Sequence, residues 1–366
     1  MRIFHLWRWE PGAPRPQTLQ VFETCAALAR AGAEVSLVAN APPDGLDAVL
    51  RREGWVVPSG LQMLLLPHQR GLASVAFHRH LLKFVMDRRP GLVLARRLDL
   101  AASLLPFLGS VLAPSFRILC EWHEIPSVLA EFRGDGVAAR RWLRTEQLLL
   151  NRLPFHSFIS GGLSRDVILR VGTPARGEVI PNGAWPSPPH GEVRARQLVM
   201  ASLFRKPSEI KQLTSILDSL PPGWTLHVFA PGPPPLDHSA LVWRGLVSRE
   251  QVSLAMASAT AILCPFSRDY TRTYWDSPLK LWQALGCGRM VITTDLPAVR
   301  EVVGDAPAAL FLEPDTFTGL TPLLEGLDAF PQQYTPHLQY AQQRASSWTW
   351  DHRAAAILRL AEEVMG

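Results

Sequence analysis

The chain has 366 residues and a mass of 40.6 kDa, which is long enough for two domains. Hydrophobic residues make up 47% and charged residues 19%, a balance that excludes a disordered tail or a fibrous protein. The net charge is +5, and up to Gly183 there are 22 Lys and Arg against 15 Asp and Glu. This basic first half indicates an anionic partner such as a lipid surface. Nucleic acid is disfavoured, because no basic stretch interleaved with aromatics and no zinc-finger pattern is present.

The cysteines and the apolar runs define the expected compartment. The four cysteines are scattered, with no CxxC spacing, which argues against a disulfide framework or a structural zinc site and favours a reducing compartment. The first residues, MRIFHLW, do not resemble a signal peptide, and the apolar runs are too short to span a bilayer. A cytoplasmic protein is therefore expected.

Short apolar runs alternate with helical segments along the first half of the chain. The predicted strands are Arg2–Trp7, Glu34–Asn40, Leu61–Pro67, Leu92–Arg97, Arg117–His123 and Ser157–Gly161. Helical periodicity is found between them at Thr18–Ala31, Ala76–Arg88 and Gly136–Asn151. Such alternation predicts parallel βαβ units in a doubly wound α/β sheet.

The same pattern restarts after a proline-rich linker at Ala184–Gln197. Further strands are predicted at Leu198–Phe204, Thr225–Ala230, Leu241–Gly245, Ala261–Pro265, Met290–Thr294 and Ala309–Leu312. We therefore expect two Rossmann-like domains, residues 1–183 and 198–366, facing a central cleft, with ligands at the carboxyl ends of the strands. The amphipathic segment Trp350–Val364 is a candidate to pack back on the first domain.

The most informative stretch for chemistry is Arg268–Arg300. Ser277 and Pro278 form a helix-start signal, with serine as the cap and proline at the first helical position. This helix follows the predicted strand Ala261–Pro265, so its N-terminus should lie at the cleft. Free backbone N–H groups, the helix dipole and Lys280 in the first turn make this a candidate phosphate site. The alternative is an ordinary buried crossover helix.

The segment SPLKLWQALGCGRMVITTDLPAVREV, residues 277–302, resembles the nucleotide-sugar motif of the retaining GT-B glycosyltransferases, in particular glycosyltransferase family four. Other family marks follow in order along the chain: Pro16–Thr18, Ala27–Ala29, Gly32–Val35, Glu121–Glu124, Ile159–Ser160 and Val179–Gly183. The resemblance implies the GT-B architecture, which consists of two Rossmann-like domains around a cleft.

The resemblance also implies a donor site on the second domain. Lys280 would neutralise the nucleotide diphosphate, helped by Arg205 or, preferably, Lys206 in the loop after the first strand. The alternative for that pair is two solvated basic residues. Further donor contacts would come from the helix start and the two loops: Ser202, Arg272, Tyr274, Asp276, Ser277, Pro278 and Leu279. Gln283 departs from the family pattern, which has glutamate there to accept from the ribose hydroxyls.

His123 matches the family histidine that lines the sugar side of the cleft, with Glu124 as a candidate to orient it. A structural histidine at a strand end is the alternative, and a general-base role is not implied. No Asp-x-Asp occurs, which argues against the metal-dependent GT-A fold. We therefore expect no metal and no other cofactor.

The expected reaction moves a sugar from a nucleoside diphosphate sugar to an acceptor hydroxyl with retention, in glycan, glycolipid or glycosylated-metabolite biosynthesis. The acceptor would lie on the first domain, near Trp7, Arg8, Arg15, Gln17 and Glu124. The basic amphipathic helix Phe77–Arg89 suggests peripheral contact with the inner membrane face and a lipid-linked acceptor. The alternative for that helix is a surface helix that packs its apolar face on the sheet.

Two rival functions remain open at this stage. One is a nucleotide-sugar epimerase of the same two-domain shape, against which the Ser-Pro-Leu-Lys helix argues. The other is a degenerate transferase that serves as a scaffold or partner protein, which Gln283 and the altered Ser202–Lys206 loop would favour. Nucleotide binding separates the scaffold from the active enzyme.

Overall fold

A computed structural model describes residues 1–8, 15–40, 45–66, 73–88, 90–108, 116–185, 192–204, 207–305 and 307–365. The chain forms two compact units. Unit 1 contains Met1–Asn182 together with Trp350–Gly366, and unit 2 contains Gly183–Thr349. The chain therefore passes from unit 1 to unit 2 and back again, and the helix at the end of the sequence belongs to unit 1.

Unit 1 is built on a parallel sheet in the order β3-β2-β1-β4-β5-β6-β7. Its strands are β1 Arg2–Leu6, β2 Glu34–Asn40, β3 Leu61–Leu66, β4 Leu92–Ala95, β5 Arg117–Trp122, β6 Phe155–Phe158 and β7 Arg176–Val179. Its helices are α1 Arg15–Arg30, α2 Leu46–Glu53, α3 Ala73–Arg88, α4 Leu98–Leu104, α5 Pro126–Phe132, α6 Gly136–Arg152, α7 Gly161–Arg170 and α15 Trp350–Met365, with a 3₁₀ turn at Leu105–Phe107. This strand order is that of a doubly wound Rossmann-like sheet with one additional edge strand.

Unit 2 repeats the arrangement with a parallel sheet in the order β10-β9-β8-β11-β12-β13. Its strands are β8 Arg194–Ala201, β9 Thr225–Phe229, β10 Leu241–Trp243, β11 Ala259–Cys264, β12 Met290–Thr294 and β13 Leu310–Leu312. Its helices are α8 Pro207–Asp218, α9 Arg249–Ser258, α10 Tyr270–Tyr274, α11 Leu279–Gly286, α12 Pro297–Val303, α13 Leu320–Ala329 and α14 Thr335–Ser347, with a 3₁₀ turn at Pro331–Tyr334. The predicted fold class, two α/β Rossmann-like domains, is confirmed.

Burial explains why the central strands are apolar runs. All five residues of β12 are buried, as are six of the seven in β2, because helices cover both faces of a parallel sheet. The edge strand β7, with the sequence RGEV, is mostly exposed and was not predicted. The strand β8 begins at Arg194, so the last four residues of the predicted linker belong to the sheet.

The basic helix α3 packs its apolar side into unit 1. Phe77, Leu81 and Val85 are buried, whereas Arg79 and Lys83 are exposed. Arg89, which the sequence analysis placed at the end of this helix, lies outside the described residues. Contact of the exposed basic side with a lipid surface stays a prediction. Among the described residues, no helix is both long enough and apolar enough to cross a membrane.

Candidate functional site

The Ser-Pro-Leu-Lys segment follows β11 in unit 2 and leads into α11. Helix α11 begins at Leu279, with Pro278 in the N-cap position, so the helix starts one residue later than predicted. The buried hydroxyl of Ser277 accepts a hydrogen bond from the Trp282 indole nitrogen at 3.0 Å. This bond ties the entry segment to the core side of the helix. Gly286 is the last residue of α11, and Gly288 follows it in a left-handed conformation at φ 62°.

Lys280 lies in the first turn of α11, beside the carboxyl end of β11. Its Nζ donates to the carbonyl oxygen of Pro265 at 3.0 Å and lies 4.3 Å from the centre of the Phe266 ring. The amide of Phe266 in turn donates to the Thr294 hydroxyl at 3.1 Å, where β12 ends. The ammonium group is therefore held at the strand-end edge of the sheet, the position where open α/β sheets bind their ligands.

Gln283 points from α11 toward α9. Its Nε2 donates to the Ser253 hydroxyl at 2.9 Å, and the side chain is half-buried. An amide side chain has one acceptor oxygen and two N–H donors. Because Nε2 donates to Ser253, the bond fixes which end of the amide is Oε1, the acceptor atom of Gln283. Trp275, which precedes the Ser-Pro pair, is buried.

The structure describes only part of the predicted donor loops. Tyr274 is exposed, Asp276, Pro278 and Leu279 are partly buried, and the side chain of Arg272 lies outside the described part of the chain. Ser202 is partly buried, and its amide donates to the Phe229 carbonyl at 3.1 Å, which places it at the end of β8. Arg205 and Lys206 lie outside the described residues.

A second group of polar side chains surrounds His123 at the end of β5 in unit 1. His123 Nε2 is hydrogen-bonded to Glu121 Oε1, and its Nδ1 lies 3.2 Å from a terminal nitrogen of Arg96. Gln20 joins the group from α1, because its Nε2 donates to Glu121 at 3.0 Å and its Oε1 accepts from Arg96 Nε at 2.9 Å. The carboxylate that contacts His123 is therefore Glu121. The predicted Glu124 is exposed.

Arg353 completes this group from helix α15. Its guanidinium is fully buried and forms an ion pair with the buried Glu121 carboxylate. It also donates to the Pro181 carbonyl at 2.9 Å and to the Thr24 hydroxyl at 3.1 Å. The ion pair thus has the additional hydrogen bonds that a buried charge needs in order to be tolerated.

The electrostatics of this group keep His123 neutral. Burial, with the nearby charge of Arg96, lowers the pKa of His123 to about 4, although Glu121 opposes the shift. Burial alone would raise the pKa of the Glu121 carboxyl, but Arg353 and His123 outweigh it and hold that pKa well below its usual range. Burial lowers the pKa of Arg96 to about 10, so its guanidinium stays protonated at neutral pH.

The predicted acceptor-side residues fall near the ends of β1 and α1. Trp7 is buried directly after β1, with the Arg96 guanidinium 5.1 Å from the centre of its ring. Arg8 lies 3.8 Å from Asp99, and Gln17 is partly buried. The side chain of Arg15 lies outside the described residues. Trp7 and His123 thus both adjoin Arg96, a residue that was not predicted.

Three candidate residues of this group were not predicted from the sequence: Arg96, Glu121 as the partner of His123, and Arg353. Residues 121 and 123 alternate along an extended segment and so share one face, a signal that was available. Arg96 directly follows β4, the neighbour of β5, so its place at the same sheet edge could also have been inferred. Nothing local marks Arg353, which is 232 residues from Glu121. Over the described part of the chain, no group of three or more His, Cys, Asp or Glu could hold a metal ion.

Comparison with known proteins places these sites in a family context. Residues 17–183 match the family model described as "Glycosyl transferase 4-like domain". A search of curated protein sequences found no match for the chain.

Among solved structures, sucrose-phosphate synthase from Thermosynechococcus elongatus is similar, with a TM-score of 0.73, 14% identity, and 99% of this chain and 98% of that chain covered. Anabaena HepE in complex with UDP and glucose has a TM-score of 0.69 and 14% identity, over 98% of this chain and 99% of that one. WaaG, a glycosyltransferase involved in lipopolysaccharide biosynthesis, has a TM-score of 0.67 and 14% identity over the full length of both chains.

The structural similarities extend over nearly the whole chain, and the family match covers residues 17–183, which include His123. Residues 17–183 are similar to a glycosyl transferase 4-like domain, and the chain as a whole has the fold of the GT-B glycosyltransferases, which confirms the predicted resemblance to glycosyltransferase family four.

Proposed function

We propose that this chain is a retaining, metal-independent glycosyltransferase that moves a sugar from a nucleoside diphosphate sugar to an acceptor hydroxyl. The observation that carries the proposal is the placement of Lys280. Its ammonium group lies in the first turn of α11 and is hydrogen-bonded to Pro265 at the end of β11. A fixed cation beside a helix N-terminus suits a diphosphate, whose negative charge grows as the sugar departs.

The donor assignment has further support from Gln283 and from the fold. Because Nε2 of Gln283 is used by Ser253, its Oε1 is the atom oriented to accept from a ribose hydroxyl. A structure of the same fold, Anabaena HepE, contains UDP and glucose. Unit 2 is therefore the unit to which we assign the nucleotide diphosphate.

Unit 1 is the unit to which we assign the acceptor, and His123 is the residue of this unit that we expect to contact a sugar. His123 is neutral above a pH of about 4, so its ring adds no charge where it contacts a sugar. Arg96 is a partly buried cation beside it. The acceptor we propose is a glycan, a lipid or a small metabolite with a free hydroxyl group.

Nucleotide binding tests the proposal first. We expect one member of a panel of UDP, GDP, ADP and dTDP to raise the melting temperature of the full chain in the presence of EDTA. Ligand at 100 times its Kd stabilises a protein by about 2.7 kcal/mol, which is readily measured. Lys280→Met should abolish the shift, because methionine keeps the contact with Phe266 and removes the charge.

Lys211→Met is the matched control, since Lys211 is an exposed residue of α8 and its loss should leave the shift unchanged. Binding that survives in Lys280→Met, or that needs a divalent metal, would contradict the donor site proposed here. Absence of any nucleotide shift would instead favour a scaffold protein. Once a donor is known, proton NMR of the product's anomeric centre distinguishes retention from inversion.

A further inference from the structure

The side chains around His123 include one carboxylate, that of Glu121, and two guanidinium groups, those of Arg96 and Arg353. A group that served only for packing would not need these charges. The group around His123 brings together residues from β5, from the segments that follow β4 and β5, and from α1 and α15. It centres on the carboxylate of Glu121, which is 1% exposed. Arg353 binds one oxygen of this carboxylate, while His123 and Gln20 bind the other. Both oxygens of Glu121 are therefore used inside the protein.

The hydrogen bonds of His123 define which ring nitrogen carries the proton. A guanidinium can only donate, so the 3.2 Å contact from Arg96 requires an unprotonated Nδ1 that accepts. The other nitrogen, Nε2, then carries the hydrogen and donates it to the ionised Glu121 carboxylate. The ring is thus a neutral Nε2–H tautomer with both nitrogens engaged.

Two cations stabilise this arrangement from opposite sides. Arg96 approaches Nδ1 and is itself oriented by the Gln20 amide oxygen. Arg353 approaches Glu121 and is oriented by the carbonyls of Ile180 and Pro181. A protonated His123 would place a third positive charge between them, and Coulomb repulsion disfavours that state.

One more titratable pair faces the group from β1 and α1. His5 is fully buried, its Nδ1 lies 3.1 Å from Cys25 Sγ, and its Nε2 has no hydrogen-bond partner among the described residues. Burial lowers the pKa of His5 to about 3 and raises the pKa of the Cys25 thiol. At neutral pH neither of them adds charge to the group, so Glu121, Arg96 and Arg353 are its charged members. Glu124 and Arg97 also act on Arg96 electrostatically.

We propose that Arg96, Glu121 and Arg353 are positioning residues that lock His123 as a neutral Nε2–H tautomer with a fixed ring plane. His123 then serves as a rigid wall of the sugar site and neither takes nor gives a proton. The tautomer lock follows from the contacts themselves. The role of this tautomer in glycosyl transfer rests on the function proposed above. The tautomer and the function are tested separately.

The tautomer is observable without substrate. The full chain, labelled with ¹⁵N only in histidine, gives distinct two-bond correlations for the Nε2–H and Nδ1–H forms, and His123→Gln assigns the signal. We expect the Nε2–H form for His123 from pH 8 down to pH 5. In Arg96→Met the Nδ1 partner and one repelling charge are gone while Glu121 remains. The ring should then take up a proton at a pH at least one unit higher.

Arg353 is tested by a conservative pair of variants. Arg353→Met removes the partner of Glu121, so we expect the His123 signal to change, whereas Arg353→Lys should restore much of it by keeping the charge. His156 is an internal control in the same unit, because Trp122 Nε1 donates to its Nδ1 at 3.0 Å and its Nε2 lies 3.0 Å from the Leu153 carbonyl. A His156 signal unchanged across the variants shows that unit 1 is still folded.

Two results would overturn the proposal: an Nδ1–H form of His123 in the unmodified chain, or a tautomer and titration in Arg96→Met identical to those of the unmodified chain. If Arg96→Met or Arg353→Met also disturbs His156, the lysine variants at both positions decide, because they keep the charge and a donor. With a donor and acceptor in hand, Arg353→Lys should keep most of the kcat that Arg353→Met loses. If no nucleotide binds but His123 keeps the Nε2–H form, the proposed function is rejected and the proposed tautomer is retained.

Discussion

The side chain of Gln283 uses its amide nitrogen inside the protein, because Nε2 donates to the Ser253 hydroxyl at 2.9 Å. A glutamate in its place would have two acceptor oxygens and a full negative charge. It would accept from Ser253 with one oxygen and keep the other for a ribose hydroxyl. Charge-assisted hydrogen bonds are roughly twice as strong as neutral ones.

We therefore expect Gln283→Glu to tighten nucleoside diphosphate binding by about fivefold, equivalent to about 1 kcal/mol. Gln283→Leu should weaken it, since no acceptor remains. Isothermal titration calorimetry with the nucleotide that gives the largest thermal shift measures both changes. Ser253→Ala is the control, because it removes the orienting bond and leaves the Gln283 oxygen in place. Equal affinities for all variants would mean that residue 283 does not face the ribose.

The residues that could be predicted are those that sit in local patterns. Lys280 was predicted because a Ser-Pro pair starts its helix and the segment resembles the family motif, whereas His123 was predicted from the resemblance alone. Arg353 could not be found this way. On an amphipathic helix an arginine is expected to face solvent, yet here the charge of Arg353 is neutralised by a carboxylate 232 residues away.

Among the secondary-structure elements, helix α11 shows how closely unit 2 packs around the proposed donor site. Gly286, its last residue, has so little room that an added Cβ would lie 2.8 Å from the backbone oxygen of Trp185. Neither partner can move without shifting main chain. The glycine therefore serves close packing at the point where the helix ends.

We expect Gly286→Ala to reduce the stability of unit 2 by about 1–3 kcal/mol, the usual cost of overpacking a core. Gly136→Ala is the matched control, because Gly136 begins α6, and its added Cβ would only reach ordinary contact with Arg140 at 3.6 Å. That change should stay within about 0.5 kcal/mol. Chemical denaturation of both variants measures their free energies of unfolding. A Gly286→Ala variant as stable as the unmodified chain would show that the Trp185 main chain can move away from the added methyl group.

Elements with buried faces were the predictable ones. The bounds of β2 and β12 agree with the prediction to the residue, because continuous apolar runs end where burial ends. The edge strand β7 has no such run, since its residues are mostly exposed and its pairing to β6 is a tertiary contact. Strand β8 begins with the exposed charged residues of the predicted linker for the same reason.

At the scale of the whole molecule, three buried histidines make unit 1 sensitive to acid. Burial lowers the pKa of His5 to about 3, and those of His123 and His156 to about 4. In the unfolded chain these groups titrate near 6.5. Between about pH 4 and 6.5 the unfolded state therefore binds more protons, and the free energy of unfolding falls as the pH falls.

We expect unit 1 to lose about 1 kcal/mol per histidine between pH 7 and pH 5.5. Glu146 offsets part of this loss, because burial raises its pKa and the folded state takes up that proton more readily. Hydrogen exchange followed separately in β5 of unit 1 and β12 of unit 2 measures the effect. Unit 2 contains one histidine of this kind, His227, whose pKa is lowered by burial to about 4, so we expect a smaller loss there. An acid loss in unit 2 as large as that in unit 1 would contradict the assignment to the three histidines of unit 1.

Unit 2 is one unbroken segment, whereas unit 1 is closed by residues on both sides of it. During translation, unit 2 can therefore complete its fold from residues already synthesised. Unit 1 cannot complete its fold until Arg353 leaves the ribosome, because Glu121 has no cation from α15 before then. A nascent chain stalled at residue 349 would contain a finished unit 2 and an unfinished unit 1. A protease that removed α15 from the carboxyl end would therefore destabilise unit 1, which contains the amino end of the chain.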